Sequence, residues 1–318
     1  MKVLHDQSDS LAAGLSVAST IGVFDGVHVG HQEVFRTVRA VADRLGVSSA
    51  VVTFDGHPAH VVRPESAPRL LTTLDQKLEL IEAAGIDYAY VIHFDERRST
   101  TPAELFVKQV FVGALNAKAV VVGEDFHFGA GRSGNVAALT RIGEEWDFDV
   151  HALELIRHND EAREPVSSTK IRRALAGGDV VRAAEMLGRL YEVGGVVEHG
   201  DRRGHQIGFP TANIPVSKMM AWPADAVYAG WCTLPDGNRH RCAINIGRRP
   251  TFYEHAQQSL LEVHLIDFDG DLYGEELKVS FATFLRSERK FEGIDQLVEQ
   301  LKADVDDTRS LLGKEPRL

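Results

Sequence analysis

The sequence predicts an α/β protein in two parts. Residues 1–187 are expected to form a doubly wound parallel sheet, and residues 188–318 a small antiparallel β-barrel with a terminal helix. Three observations carry this. Up to about Leu187, short apolar runs alternate with segments of helical period, the rhythm of strand–helix–strand units. Beyond Gly188 short alternating segments follow one another, separated by turns rich in Gly, Pro and Asp. An amphipathic helix then ends the pattern, with Ile294, Leu297, Val298, Leu301, Val305 and Leu312 on one stripe that reads as core.

In the first part, Ile21–Phe24, Ala50–Phe54, Tyr88–Phe94, Ala119–Val122 and Val150–Leu155 read as strands. Helices are expected near 32–45, 74–84, 102–115 and 135–145. Thr101-Pro102-Ala103-Glu104 combines an N-cap, a first-turn proline and a capping-box glutamate. Polar and glycine residues gather where such strands end: Asp25, His28 and His31, then Asp55, Gly56, His57 and Pro58, then Gly123 through Arg132. Ligands of doubly wound sheets sit at that edge.

The most informative stretch is Thr20-Ile-Gly-Val-Phe-Asp-Gly-Val-His-Val-Gly-His31. An apolar strand ending passes through a glycine-punctuated turn into a helix expected from about Gln32. His28 and His31 fall around Gly30, where a helix start presents unpaired N–H groups and its dipole to an anion. Gly22, Gly26 and Gly30 allow close approach of a ligand, so the stretch points to a nucleotide phosphate site. Val166-Ser-Ser-Thr-Lys-Ile-Arg172 opens another helix and reads either as a capped, solvated helix start or as a second phosphate grip.

In the second part, Glu192–Glu198, Val227–Leu234, Arg241–Ile246, Leu260–Ile266 and Lys278–Leu285 read as strands, with a hairpin turn at Pro235-Asp-Gly-Asn238. Gly200 through Asn213 is a basic loop, with Gly204 and Gly208, that leads into an extended segment. Thr211 and Asn213 point to one side of it and offer oxygens suited to Mg²⁺ on a triphosphate; a polar edge strand is the plain alternative. In Leu260-Leu-Glu-Val-His-Leu265, Glu262 and His264 share the face opposite the apolar one, so Glu262 is either a proton acceptor or solvent-facing.

Composition sets the outer bounds. The 35 basic and 46 acidic residues of the 318 give a net charge of −11, against a broad nucleic-acid face. Cys232 and Cys242 alone imply no disulfide framework, are expected to be reduced and buried, and flank the hairpin turn as cross-strand neighbours. No secretory signal and no apolar run long enough to span a bilayer is evident, so a cytoplasmic enzyme of small-molecule substrates is expected, and a homo-oligomer is left open.

Together these motifs resemble the bacterial bifunctional riboflavin kinase/FAD synthetase family, from about Ile21 to Asp304. The marks are Gly22 through His28, Gly30-His31, Val122 through Phe126, Ser167 through Arg172, Gly208 through Asn213, Asn245 through Gly247, Arg249 through Thr251, and Asp267 through Gly274. The resemblance implies that the first part transfers AMP from ATP to FMN, giving FAD and pyrophosphate, and that the barrel phosphorylates riboflavin to FMN. It gives His28 and His31 the ATP phosphates and the stabilisation of charge, with Gly22, Phe24, Asp25, Gly30, Ser168, Thr169, Lys170 and Arg172 on the nucleotide. His57, Asp125 and Phe126 fall in loops at the FMN and nucleotide site. In the barrel it gives Gly204, Gly208, Thr211 and Asn213 the ATP, Thr211 and Asn213 the Mg²⁺, and Glu262 the role of base toward the ribityl hydroxyl. Gly56, His127 and Leu190 depart from the family's more usual proline, arginine and proline. An adenylyltransferase for another phosphorylated metabolite, with a merely flavin-binding barrel, is the alternative.

Overall fold

The computed structural model describes residues 1–6, 8–153, 165–200, 203–247 and 260–313. Its contacts divide the chain into two compact units, Met1–Ser167 and Ser168–Leu318. Asp201, Arg202 and Arg249 through Thr251, marked above, lie outside the described residues. No helix among the described residues is long and apolar enough to cross a membrane.

The first unit runs β1 (Lys2–His5), β2 (Val17–Ile21), α1 (Val29–Leu45), β3 (Ser48–Phe54), α2 (Ala59–Val62), α3 (Leu74–Ala83), β4 (Tyr88–Ile92), α4 (Glu96–Ser99), α5 (Ala103–Val107), β5 (Ala117–Gly123), β6 (His127–Phe128), β7 (Gly134–Asn135), α6 (Val136–Trp146) and β8 (Asp149–Leu153). Six parallel strands form one sheet in the order β1-β4-β3-β2-β5-β8. All of β2 and nearly all of β3 and β5 are buried, as expected of strands covered by helices on both faces. The chain builds outward from β2 to β3 and β4, then returns to place β5 on the other side of β2. That reversal leaves a crevice beyond the carboxyl ends of β2 and β5.

Three expectations are corrected here. The first strand ends at Ile21, not Phe24, because the chain turns at Gly22 and Phe24 takes a left-handed φ of 49°. Thr101 does not cap the next helix; Pro102 stands at that position and the Thr101 hydroxyl donates backward to Arg97 O. The helix expected over 102–115 keeps α-geometry only to Val107 and continues as a π-turn over Lys108–Ala114.

The second unit runs α7 (Ser168–Ala176), α8 (Val180–Leu187), β9 (Tyr191–Val196), α9 (Arg203–Gln206), β10 (Ala212–Pro215), β11 (Ala226–Thr233), β12 (Arg239–Gly247), β13 (Leu260–Leu265), β14 (Glu276–Ser287) and α10 (Ile294–Leu311). Its antiparallel strands are ordered β10-β13-β12-β11-β14-β9. A bridge between Glu198 and Asn213 joins the chain after β9 to β10 and brings the sheet round to a near-barrel. Ile214, Tyr228, Ile244, Leu261, Val263, Val279 and Phe281 are fully or almost fully buried. On the opposite face of β11, Ala229 and Trp231 pack against Leu312, at the end of α10. Cys232 and Cys242 are both buried, but each lies diagonal to the other, opposite His240 and Gly230.

The stripe on α10 is not simply core. Ile294 is 66% exposed and only Val305 and Leu312 are buried, while Leu297 and Leu301 face a cavity. The first half of α10 therefore roofs a hollow instead of filling it.

Candidate active sites

In the first unit, the turn after β2 holds two imidazoles at the start of α1. His28 is the N-cap, and its Nδ1 accepts the His31 backbone N–H at 3.3 Å. The proton of a neutral His28 therefore sits on Nε2. The two rings stack with centroids 3.5 Å apart and planes 19° from parallel. Gly30 makes room for this, since a Cβ there would stand 3.2 Å from Cε1 and Nδ1 of His28. Burial, then His28, then Lys77, hold His31 well below the usual imidazole range. It is thus uncharged near neutral pH, and its buried Nδ1 has no hydrogen-bond partner among the described residues.

The turn is tightly braced. Phe24 tucks under Gly22, where a Cβ would collide with its ring, and packs edge-on against His31 and Phe35. Asp25 is 4% exposed and its Oδ1 accepts the backbone N–H groups of Leu71 and Thr72. Gly26 N donates to the Thr72 hydroxyl. Phe24 and Val27 both hold positive φ, at 49° and 39°, and such strain persists only where surroundings over-determine it.

The neighbouring loops arrive at the same edge of the sheet. Asp125 and Phe126 follow β5, where Asp125 is exposed and Phe126 stacks on Phe128 in a short hairpin. His57 follows β3, its Nδ1 accepting Ala59 N at the start of α2. Ser168, Thr169, Lys170 and Arg172 occupy the first turn and a half of α7, in the second unit, with Ile171 as the buried anchor between them.

The second unit presents one continuous row of cross-strand partners: Asn213 on β10, Glu262 on β13, Asn245 on β12, Val227 on β11 and Arg286 on β14. All five line a cavity of about 370 Å³ between the barrel's outer face and the first half of α10. Parity puts them there, because Leu261 and Val263 on β13 and Ile244 and Ile246 on β12 point inward and are buried. Asn245 Nδ2 lies 3.4 Å from Glu262 Oε2, at the far end of hydrogen-bond range. At the rim, burial and then the carboxylates of Asp225 and Glu262 raise the Glu288 carboxyl above its usual range. Arg286 is fixed by a two-pronged contact, Nε and Nη2 donating to Asp304 at 2.8 and 2.7 Å. Asn245 belongs to the marked segment Asn245–Gly247, whereas Arg286 and Glu288 carry no motif: outward polar residues at the end of a strand look solvent-facing until a helix covers them.

A second cavity, of about 400 Å³, is lined by Val197, Pro210 and the turn Asp269–Tyr273. Gly204, Thr211 and Asn213 line both cavities, so one short wall of small polar groups separates them. Gly204 is tied there by backbone: a Cβ would collide with Phe209 O. Gly208, with a φ of 83°, makes the turn that precedes Phe209. The donors on the shared wall are neutral oxygens. That set fits Mg²⁺, which keeps several waters and takes its remaining ligands from phosphates.

Comparisons with known proteins match the two parts of the chain to two families. The family model for FAD synthetase matches residues 13–170, and that for riboflavin kinase matches 187–312. The chain is 38% identical to the bifunctional riboflavin kinase/FMN adenylyltransferase of Bacillus subtilis (strain 168), over 89% of each chain. It is 35% identical to the protein of the same name from Escherichia coli (strain K12), over 98% of this chain and 96% of that one. A solved structure described as a macrolide-efflux protein from Streptococcus pneumoniae is 30% identical, with a TM-score of 0.85 over 97% of this chain and 99% of that one. That description belongs to the pneumococcal protein. On relatedness along nearly its whole length, this chain belongs to the bifunctional riboflavin kinase/FMN adenylyltransferase family.

Proposed function

We propose that this chain makes FAD in two steps at two separate sites. The barrel unit phosphorylates riboflavin with ATP to give FMN, and the parallel-sheet unit transfers AMP from a second ATP to FMN, releasing pyrophosphate. The observation that carries this reading is the pair of cavities sharing the Thr211–Asn213 wall, with Glu262 facing one of them. Phosphoryl transfer needs a hydroxyl and a γ-phosphate brought into line more than it needs covalent chemistry. Glu262, flanked by the carboxamides of Asn213 and Asn245, is placed to accept the proton of the ribityl hydroxyl. The flavin occupies the cavity under α10 and the nucleotide the other. Mg²⁺, held by Thr211 and Asn213, would neutralise phosphate charge at the shared wall.

In the sheet unit, His28 donates through Nε2 and His31 acts as an uncharged donor toward the α-phosphate region, where charge grows as the FMN phosphate attacks. Gly22, Phe24, Asp25 and Gly30 shape the turn that holds them. Family likeness alone supports assigning Ser168, Thr169, Lys170 and Arg172 to the nucleotide, and His57, Asp125 and Phe126 to the FMN end. The adenylyl-transfer part is taken as residues 1–187 and the kinase part as 188–318. Dependence on ATP supports a cytoplasmic location.

Two variants test the separation. His28→Ala should abolish conversion of FMN to FAD and leave riboflavin phosphorylation intact; Glu262→Ala should do the reverse. Loss of both activities in either folded variant would contradict independent sites.

A further inference from the structure

Lys77 sits on α3, yet it is only 5% exposed, an unusual place for a lysine that has no carboxylate in salt-bridge contact among the described residues. Its ammonium donates to Phe54 O at 2.7 Å and to Val23 O at 3.3 Å. Phe54 is the last residue of β3. Val23 immediately precedes Phe24, the first residue of positive φ in the histidine turn. The Val23 carbonyl also accepts the Thr53 hydroxyl, at 3.2 Å. One buried cation thus ties the end of β3 to the mouth of the strained turn that carries His28 and His31.

We propose that Lys77 is a positioning residue for adenylyl transfer: it clamps the histidine turn through Val23 O and Phe54 O and places a buried positive charge within reach of His31. This rests on the reading of the sheet unit as the adenylyl-transfer site. The geometry explains what holds the turn in its costly conformation, since positive-φ residues such as Phe24 and Val27 persist only where their surroundings hold them. It also puts a buried positive charge beneath the turn, where the imidazoles serve as oriented donors.

The charged and titratable groups facing Lys77 are Asp25 from the turn, Asp55 after β3 and His31 on α1. Asp55 is itself paired with His93 after β4. Burial outweighs the two aspartates and lowers the ammonium to about 8. In the free enzyme the clamp therefore loses its charge and one donor proton as pH rises through about 8, within the range where the protein can be assayed. The second ionisation of a phosphate lies near 6, on the acid side, and does not obscure this limb.

The test measures kcat/KM for FMN adenylylation by the full chain from pH 6.5 to 9.5, for wild type, Lys77→Met and Lys77→Arg, with riboflavin phosphorylation followed in parallel. Wild type should lose adenylylation above about pH 8. Lys77→Met should fall roughly 100-fold at pH 7.5, the scale of a 1 Å misplacement, with a flat alkaline side and kinase activity unchanged. Lys77→Arg, which stays charged throughout, should carry the alkaline limb beyond pH 9 and retains a cation if the methionine variant fails to fold. An arginine variant with the wild-type limb, or a folded methionine variant within threefold of wild type, overturns the proposal. A wild type that makes no FAD would instead refute the function assigned to the unit.

Discussion

Gly30→Ala separates the stability of the histidine turn from its chemistry. Gly30 is the second residue of α1, and an added Cβ would stand 3.2 Å from Cε1 and Nδ1 of His28. Carbon contacts rest at about 3.5–4.0 Å, so the ring must retreat by roughly 0.4 Å. The N-cap bond from His31 N to His28 Nδ1 is already 3.3 Å, so such a retreat breaks it. That costs about 1 kcal/mol of capping. Replacing Gly by Ala in a helix returns about 1 kcal/mol of propensity. The two nearly cancel, and the melting temperature should move by less than about 3 °C. Adenylylation should not be spared: scaled from the roughly 100-fold cost of a 1 Å misplacement, kcat/KM should fall about 10-fold. The assay is FAD formation from FMN and ATP by the full chain, with riboflavin phosphorylation as the internal control. Unchanged adenylylation would refute the role given to the stacked pair, and equal loss of both activities would refute its confinement to one unit.

Two further outcomes follow from the structure. His31 is held below its usual range, so below its unfolded value of about 6.5 the unfolded chain takes up a proton that the folded one refuses. Stability of the first unit should therefore fall as pH drops from 7.5 to 5.5, and His31→Gln should shrink that loss in denaturant titrations; an equal loss in both proteins contradicts it. Asp304 is 2% exposed and anchors Arg286 and Gln300 at the cavity under α10, which the proposal gives to the flavin. Asp304→Ala should cost the second unit about 3 kcal/mol in urea unfolding and raise the KM for riboflavin, and a loss below about 1 kcal/mol would show the pair to be idle.

Much of the architecture is legible in the chain because the inner parallel strands are covered on both faces and read as unbroken apolar runs. The edge strand Lys2–His5 leaves no such mark, since only Leu4 of its four residues is buried. Phe24 looks like a strand residue because it is apolar. It is core, but it reaches the core through a turn made possible by the missing Cβ of Gly22. The placement of Glu262 follows from parity alone, as Leu261 and Val263 claim the inner face. Arg286 and Glu288 could not be found that way, because their exposed face becomes a cavity only when α10 lies across it. Lys77 was equally hidden: on a helix of mixed period it reads as solvated, and only the fold shows its ammonium bonded to two carbonyls between strands.

The central claim, two transfers in sequence at separate sites, is tested most directly by incubating the purified chain with riboflavin, ATP and Mg²⁺ and following the flavins by chromatography. The account predicts FMN first and FAD after a lag, with one ADP and one pyrophosphate released per FAD. Stoichiometric flavin binding with neither ADP nor pyrophosphate, or FMN that is never carried on to FAD, would contradict it.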